Sequence, residues 1–267
     1  MTGLERIRRT FEACRGEGRA ALVTYVMGGD PDLATSKAMA LACVEGGADL
    51  LEIGIPFSDP IADGPTVQQA AERALAAGTT AGDVLRLAAQ VRRACEVPIA
   101  LMGYVNPVLA YGEERFVAEA ARAGVDALIL PDLPPEEAEG IAAAAAAHGM
   151  ALVFLLAPTS TGARRRAACA AATGFLYFVS VTGVTGARRE LPADLPALLS
   201  AVRAESPVPV VVGFGVSSPR QARELAGLAD GVVVGSAVVS RIGRAGTRGA
   251  RAARVRSFAA SLRRAMG

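Results

Sequence analysis

Short β-branched runs and alanine-rich stretches alternate along the whole 267-residue chain. The runs cover residues 20–26, 49–55, 98–104, 126–131, 151–157, 175–181, 209–214 and 231–234. Nearly all are continuously apolar, the pattern of parallel strands covered by helices on one face and packed inside on the other. Between them, helical stretches fall at 33–45, 67–77, 83–95, 113–123, 135–148, 162–172, 193–204 and 219–228. Several end in glycine just before the next run, as in Ala123-Gly124 and Thr173-Gly174, and Ser218-Pro219 gives a serine cap with a first-turn proline. Eight βα units without a linker or composition break predict an α/β fold, a (β/α)₈ TIM barrel filling residues 1–267 as one domain, with an extra N-terminal helix over 4–14. An open doubly wound sheet competes, but no G-x-G-x-x-G follows the first strand. In a barrel, the loops after the strands' C-terminal ends carry the active site.

Composition narrows the chemistry. Apolar residues make up 52% of the chain, yet no run reaches the roughly 18 residues a membrane span needs. The start, Met1-Thr2-Gly3-Leu4-Glu5-Arg6, lacks the apolar core of a secretory signal. Cys14, Cys43, Cys95 and Cys169 show no C-x-x-C spacing, so reduced thiols and a cytoplasmic location are expected. His148 is the only histidine and sits at a helix C-terminus before Gly149, a capping position more than a catalytic one. Lys37, the only lysine, lies in a helix and not at a strand end, which argues against Schiff-base chemistry. Without a His or Cys cluster, no metal is expected. Net charge is +2, but eight arginines and no acid follow Gly231. Val255, Phe258 and Leu262 beneath them have helical spacing and no aromatics interleave, so a solvated helix face is favoured over nucleic acid.

At the strand ends, Glu52 stands among Leu50, Leu51, Ile53 and Ile55. Pointing inward, it would have a raised pKa suited to proton transfer near neutrality. Pointing outward, it would pair with an arginine or a hydroxyl. Asp59 and Asp63 fit ordinary Asp-Pro and Asp-Gly turns, and Asp132 fits a solvated strand end. Glycine turns end the last three strands: 182–186, Gly213-Phe214-Gly215 and Gly235-Ser236. They let backbone N–H groups approach an anion, and a short helix beginning at Ser236 would add its dipole, although glycines also simply permit tight turns. Barrels often hold phosphate there. Tyr25, Met102, Tyr104, Ile129, Tyr177 and Phe214 lie at or near strand ends and could line an apolar pocket.

The run Leu51-Glu52-Ile53-Gly54-Ile55-Pro56-Phe57-Ser58-Asp59-Pro60-Ile61-Ala62-Asp63-Gly64-Pro65 resembles the signature of the tryptophan synthase alpha chain family. Gly29-Asp30-Pro31-Asp32, Asn106-Pro107-Val108-Leu109, Pro131-Asp132-Leu133-Pro134, Ala157-Pro158-Thr159 and the 180–186 run extend the likeness over essentially the whole chain. The resemblance implies retro-aldol cleavage of indole-3-glycerol phosphate to indole and glyceraldehyde 3-phosphate. By it, Glu52 transfers the proton at indole C3, Asp63 accepts the indole N–H, Thr185 closes over Asp63, and Tyr177 lies against the substrate. Gly186, Gly215, Gly235 and Ser236 match the phosphate cradle. Asp59, Asn106 and Pro134 match positions that face a beta subunit in an alpha2beta2 heterotetramer. No cofactor is expected on this chain, pyridoxal phosphate belonging to the beta subunit. Met27-Gly28-Gly29 and Gly103 depart from the family pattern. A free-standing lyase that releases indole, and a silent subunit that only activates a partner, are the alternatives.

Overall fold

The computed structural model describes residues 1–179, 194–213 and 215–267. In chain order the elements are α1 (Gly3–Gly16), β1 (Ala21–Met27), α2 (Leu33–Glu45), β2 (Leu50–Gly54), α3 (Pro65–Ala76), α4 (Ala81–Arg92), β3 (Ile99–Met102) and α5 (Val105–Tyr111). There follow α6 (Glu113–Arg122), β4 (Ala127–Ile129), a 3₁₀ turn (Pro135–Glu137), α7 (Glu139–Ala147), β5 (Ala151–Val153), β6 (Leu155–Leu156), α8 (Gly162–Ala171) and β7 (Leu176–Val179). The chain ends with α9 (Leu195–Glu205), β8 (Val210–Gly213), α10 (Pro219–Ala226), β9 (Gly231–Val234), α11 (Ser236–Gly243) and α12 (Arg248–Ala265).

All strand pairs are parallel, in the order β5-β4-β3-β2-β1-β9-β8-β7-β6. Only Phe154 parts β5 from β6, and its carbonyl accepts from the Tyr177 N–H at 3.0 Å. The two ends of the order are therefore halves of one stave, and the sheet closes into the eight-staved barrel that the alternation predicts. Helix α5 was not anticipated, because Asn106-Pro107 reads as a break. Pro107 instead occupies the first turn, where a missing N–H has no intrahelical acceptor to lose. The Asp132 carboxylate accepts from Val105 N–H at 3.1 Å, so Asp132 caps α5 and is not merely solvated.

Two apolar layers flank the sheet. Leu51, Ile53 and Leu101 pack outward against the helices, while Val23, Leu50, Ala100 and Val211 fill the barrel's interior. Ile7, Phe11 and Cys14 of α1 join that interior cluster, so α1 seals the end where the strands begin. Three aspartates just before β2, β4 and β9 pin this end. Asp49 accepts from Leu22 N–H, Asp126 from Ile99 N–H and Asp230 from Val210 N–H, at 2.8, 2.8 and 2.9 Å. Each also meets arginine: Arg19 for Asp49, Arg6 and Arg92 for Asp126, Arg203 for Asp230.

The arginines of the C-terminal segment are structural. Arg241 lies over the Phe258 ring at 3.4 Å. Arg251 and Arg254 donate to the carbonyls that end α11, including Ile242 at 2.8 Å and Arg244 at 3.1 Å. Among the described residues the four cysteines are free thiols, and no helix is long and apolar enough to cross a membrane. His148 is the C-cap of α7.

Candidate active site

On β2, residue parity decides where Glu52 points. Leu51 and Ile53 belong to the outer layer and Leu50 to the inner, so Glu52 faces the interior. Register sets it beside Tyr25 of β1 and the small Ala100 of β3. Above the filled layers, at the strands' C-terminal ends, opens a cavity of about 830 Å³ whose walls include Glu52, Asp63, Tyr25, Met102 and Tyr177.

Glu52 is 1% exposed, and neither carboxyl oxygen has a hydrogen-bond partner among the described residues. Burial pushes its pKa from 4.5 up to about 8. The outward, arginine-paired reading of Glu52 is thereby set aside. Asp63 comes to the same cavity from the loop after β2. Burial raises its pKa to about 6, and a hydrogen bond from Tyr104 holds it lower than burial alone would. The Tyr104 hydroxyl donates to Asp63 Oδ2 at 3.2 Å and accepts from Ala62 N–H at 3.0 Å. Its ring packs against Phe57 with centroids 5.4 Å apart. Gln68 Nε2 donates to the Asp63 carbonyl at 2.8 Å, fixing the backbone from α3. At neutral pH one carboxyl is therefore protonated and the other ionised, two groups of one type with opposite capacities.

Two phenols flank them. A Cβ on Gly54 would collide with the Tyr25 hydroxyl, and one on Gly213 with the Tyr177 hydroxyl, so both glycines make room for a phenol facing the site. Burial raises both tyrosine pKa values well above 10 and keeps the hydroxyls protonated. Gly215 and Gly235 also line the cavity, with Ser236 opening α11. Gly215 has φ +54°, the left-handed region, and a Cβ there would meet nothing within 4 Å. Its glycine answers to backbone conformation and not to crowding. No side chain caps the start of α11, and while Val238 N–H bonds to the Gly235 carbonyl at 2.8 Å, the N–H groups of Ser236 and Ala237 remain available to an anion.

Two expected lining residues lie elsewhere. Ile129 is fully buried in the interior apolar cluster and does not line the cavity, although its register partner Met102 does. Tyr104 stands behind Asp63 and positions it. Thr185, Gly186 and Phe214 lie outside the described residues. Asp59 and Asn106 are exposed and Pro134 is half-buried; Asp59 and Pro134 lie on the loops after β2 and β4 and Asn106 in α5, which follows β3, at the cavity's end of the barrel. The sequence reading missed Gln68, and missed that Thr159 and Ser160 of the loop after β6 and Arg164 in the first turn of α8 line the cavity. Among the described residues, no group of three or more His, Cys, Asp and Glu side chains gathers at a metal-binding spacing.

Comparison with known proteins points to one family. The family model for the tryptophan synthase alpha chain matches residues 11–266. The tryptophan synthase alpha chain of Geobacter sulfurreducens is 51% identical over 264 residues, covering 99% of this chain and 100% of its own. That of Solibacter usitatus is 47% identical over 264 residues, covering 99% of each. The Mycobacterium tuberculosis tryptophan synthase structure in space group F222 superposes with a TM-score of 0.90 at 40% identity, over 98% of each chain. The tryptophan synthase subunit alpha of Legionella pneumophila str. Paris superposes at 0.89 with 36% identity, over 98% of each chain. These likenesses favour the alpha-subunit reading over the free-standing lyase. With a closed barrel, a buried unpaired glutamate and full-length likeness in agreement, the chain belongs to the tryptophan synthase alpha chain family.

Proposed function

We propose that Glu52 is the acid and Asp63 the anion of the retro-aldol cleavage that this family performs. The substrate, indole-3-glycerol phosphate, joins indole C3 to a glycerol carbon that bears a hydroxyl. Protonation at C3 by neutral Glu52 turns the ring into an indoleninium cation, and the Asp63 carboxylate accepts the ring N–H and offsets the positive charge. The Glu52 carboxylate left behind then takes the glycerol hydroxyl proton. The C–C bond breaks, its electron pair restores the indole ring, and glyceraldehyde 3-phosphate leaves as the aldehyde. Glu52 ends protonated as it began. Tyr25 and Tyr177 flank the ring, and Gly215, Gly235 and Ser236 cradle the phosphate, with Thr185 and Gly186 assigned to the same site by resemblance. Pyridoxal phosphate is assigned to the beta chain, which docks at Asp59, Asn106 and Pro134 and receives indole.

One observation carries this reading: a carboxyl that is 1% exposed and unpartnered stands inside the cavity with its pKa near 8. Glu52→Gln should keep the fold and the affinity for glycerol 3-phosphate while lowering kcat by about 10²–10⁴. Turnover within about tenfold of the parent would sink the assignment.

A further inference from the structure

Charge is unevenly spread around the cavity. Its described lining residues include two carboxyls, Glu52 and Asp63, and a single cationic side chain, Arg164. Arg164 is exposed, and its guanidinium has no hydrogen-bond or ion-pair partner among the described residues. The arginines at the barrel's other end, Arg19, Arg92 and Arg203, are by contrast each paired with an aspartate. The segment that presents it is fixed locally. Ala157 N–H donates to Ser160 Oγ at 3.0 Å, and Ser160 N–H returns to the Ala157 carbonyl at 2.9 Å. Thr161 Oγ1 then caps α8 by accepting from Arg164 N–H at 3.3 Å. Arg164 thus stands on a locally fixed segment at one wall of the cavity.

A phosphate dianion entering beside ionised Asp63 meets like charge. The uncapped start of α11 offers only partial positive charge, and glycine N–H groups offer no more. A full positive charge at the mouth would draw the phosphorylated end inward and hold it against that repulsion. Resting on the lyase reading above, we propose that Arg164 is the residue that selects a phosphorylated substrate, by supplying this charge.

The test compares the parent with Arg164→Ala and Arg164→Lys on indole-3-glycerol phosphate and on unphosphorylated indole-3-glycerol. For the phosphorylated substrate at low salt, Arg164→Ala should lower kcat/KM by about five- to twentyfold, the loss falling on KM, and the gap should narrow at high ionic strength. Lysine should restore most of it, and the unphosphorylated substrate should not distinguish the variants. Calorimetry with glycerol 3-phosphate reads the same contact without turnover, and Arg164→Ala should weaken binding several-fold. Equal losses on both substrates would reveal a merely structural loop, and unchanged phosphate affinity would overturn the proposal. A parent that binds glycerol 3-phosphate but never cleaves the substrate, alone or with a beta chain, would overturn the lyase reading and leave the calorimetric result for Arg164 standing.

Discussion

Glu52 and Asp63 start from similar carboxyl chemistry and are separated by what surrounds them. Glu52 has burial without a partner, whereas Asp63 has burial tempered by the Tyr104 hydroxyl. The signs fix a pH profile. The acid role needs Glu52 protonated, so activity falls as pH rises through about 8. The anion role needs Asp63 ionised, so activity falls as pH drops through about 6. A bell in kcat/KM between those limits is the expected result. Tyr104→Phe removes a bond that favours the ionised form, so the acid limb should move to higher pH while the alkaline limb stays in place. A pH series on both proteins checks this, and movement of the alkaline limb alone would contradict the assignment. Glu52 was legible in the sequence because a charge interrupts an apolar strand. By spacing alone Asp63 was not separable from an ordinary Asp-Gly turn, since its setting depends on a tyrosine some forty positions away, and only the family resemblance singled it out.

Among the elements, legibility followed the strength of local pattern. The βα alternation gave every strand within a few residues, and continuous apolar runs left no doubt about parallel pairing. Helix α5 escaped because a proline tolerated in a first turn has the same local signature as one that stops a helix. Gln68 and Arg164 escaped for another reason: on the sequence they are ordinary polar helix residues, and only the barrel's closure turns them toward one cavity. The aspartates before β2, β4 and β9 are an element-scale device, each linking the start of its strand to the neighbouring strand and to arginine. Asp126, 1% exposed between Arg6 and Arg92, is the most enclosed of them. Asp126→Ala would strand two arginines and should cost about 3–5 kcal/mol of stability. Denaturant unfolding measures that loss, while kcat per folded molecule should hold, because the clamp lies at the opposite end of the barrel from Glu52.

For the molecule as a whole, the cavity and the proposed partner face sit at one end. Ile61, two residues from Asp59 on the loop after β2, is 84% exposed, and Leu109, three residues from Asn106 in α5 after β3, is 52% exposed. Large apolar side chains left in solvent at the mouth suit an interface. Leu109→Glu should weaken binding of the beta chain by about tenfold or more, with the isolated chain's lyase rate unaffected. Titration of the beta chain against lyase rate measures both quantities, and an unaltered titration would place the partner elsewhere. Helix α1 adds a consequence of its own. With Ile7, Phe11 and Cys14 stoppering the barrel, the cavity is closed at its far end among the described residues, so the proposed substrate and products would pass at the mouth. An apolar product such as indole diffuses readily once free in water, and no rear passage can direct it. On the proposed function, custody of indole would pass to whatever stands on that threshold, which is where the proposed docking places the beta chain.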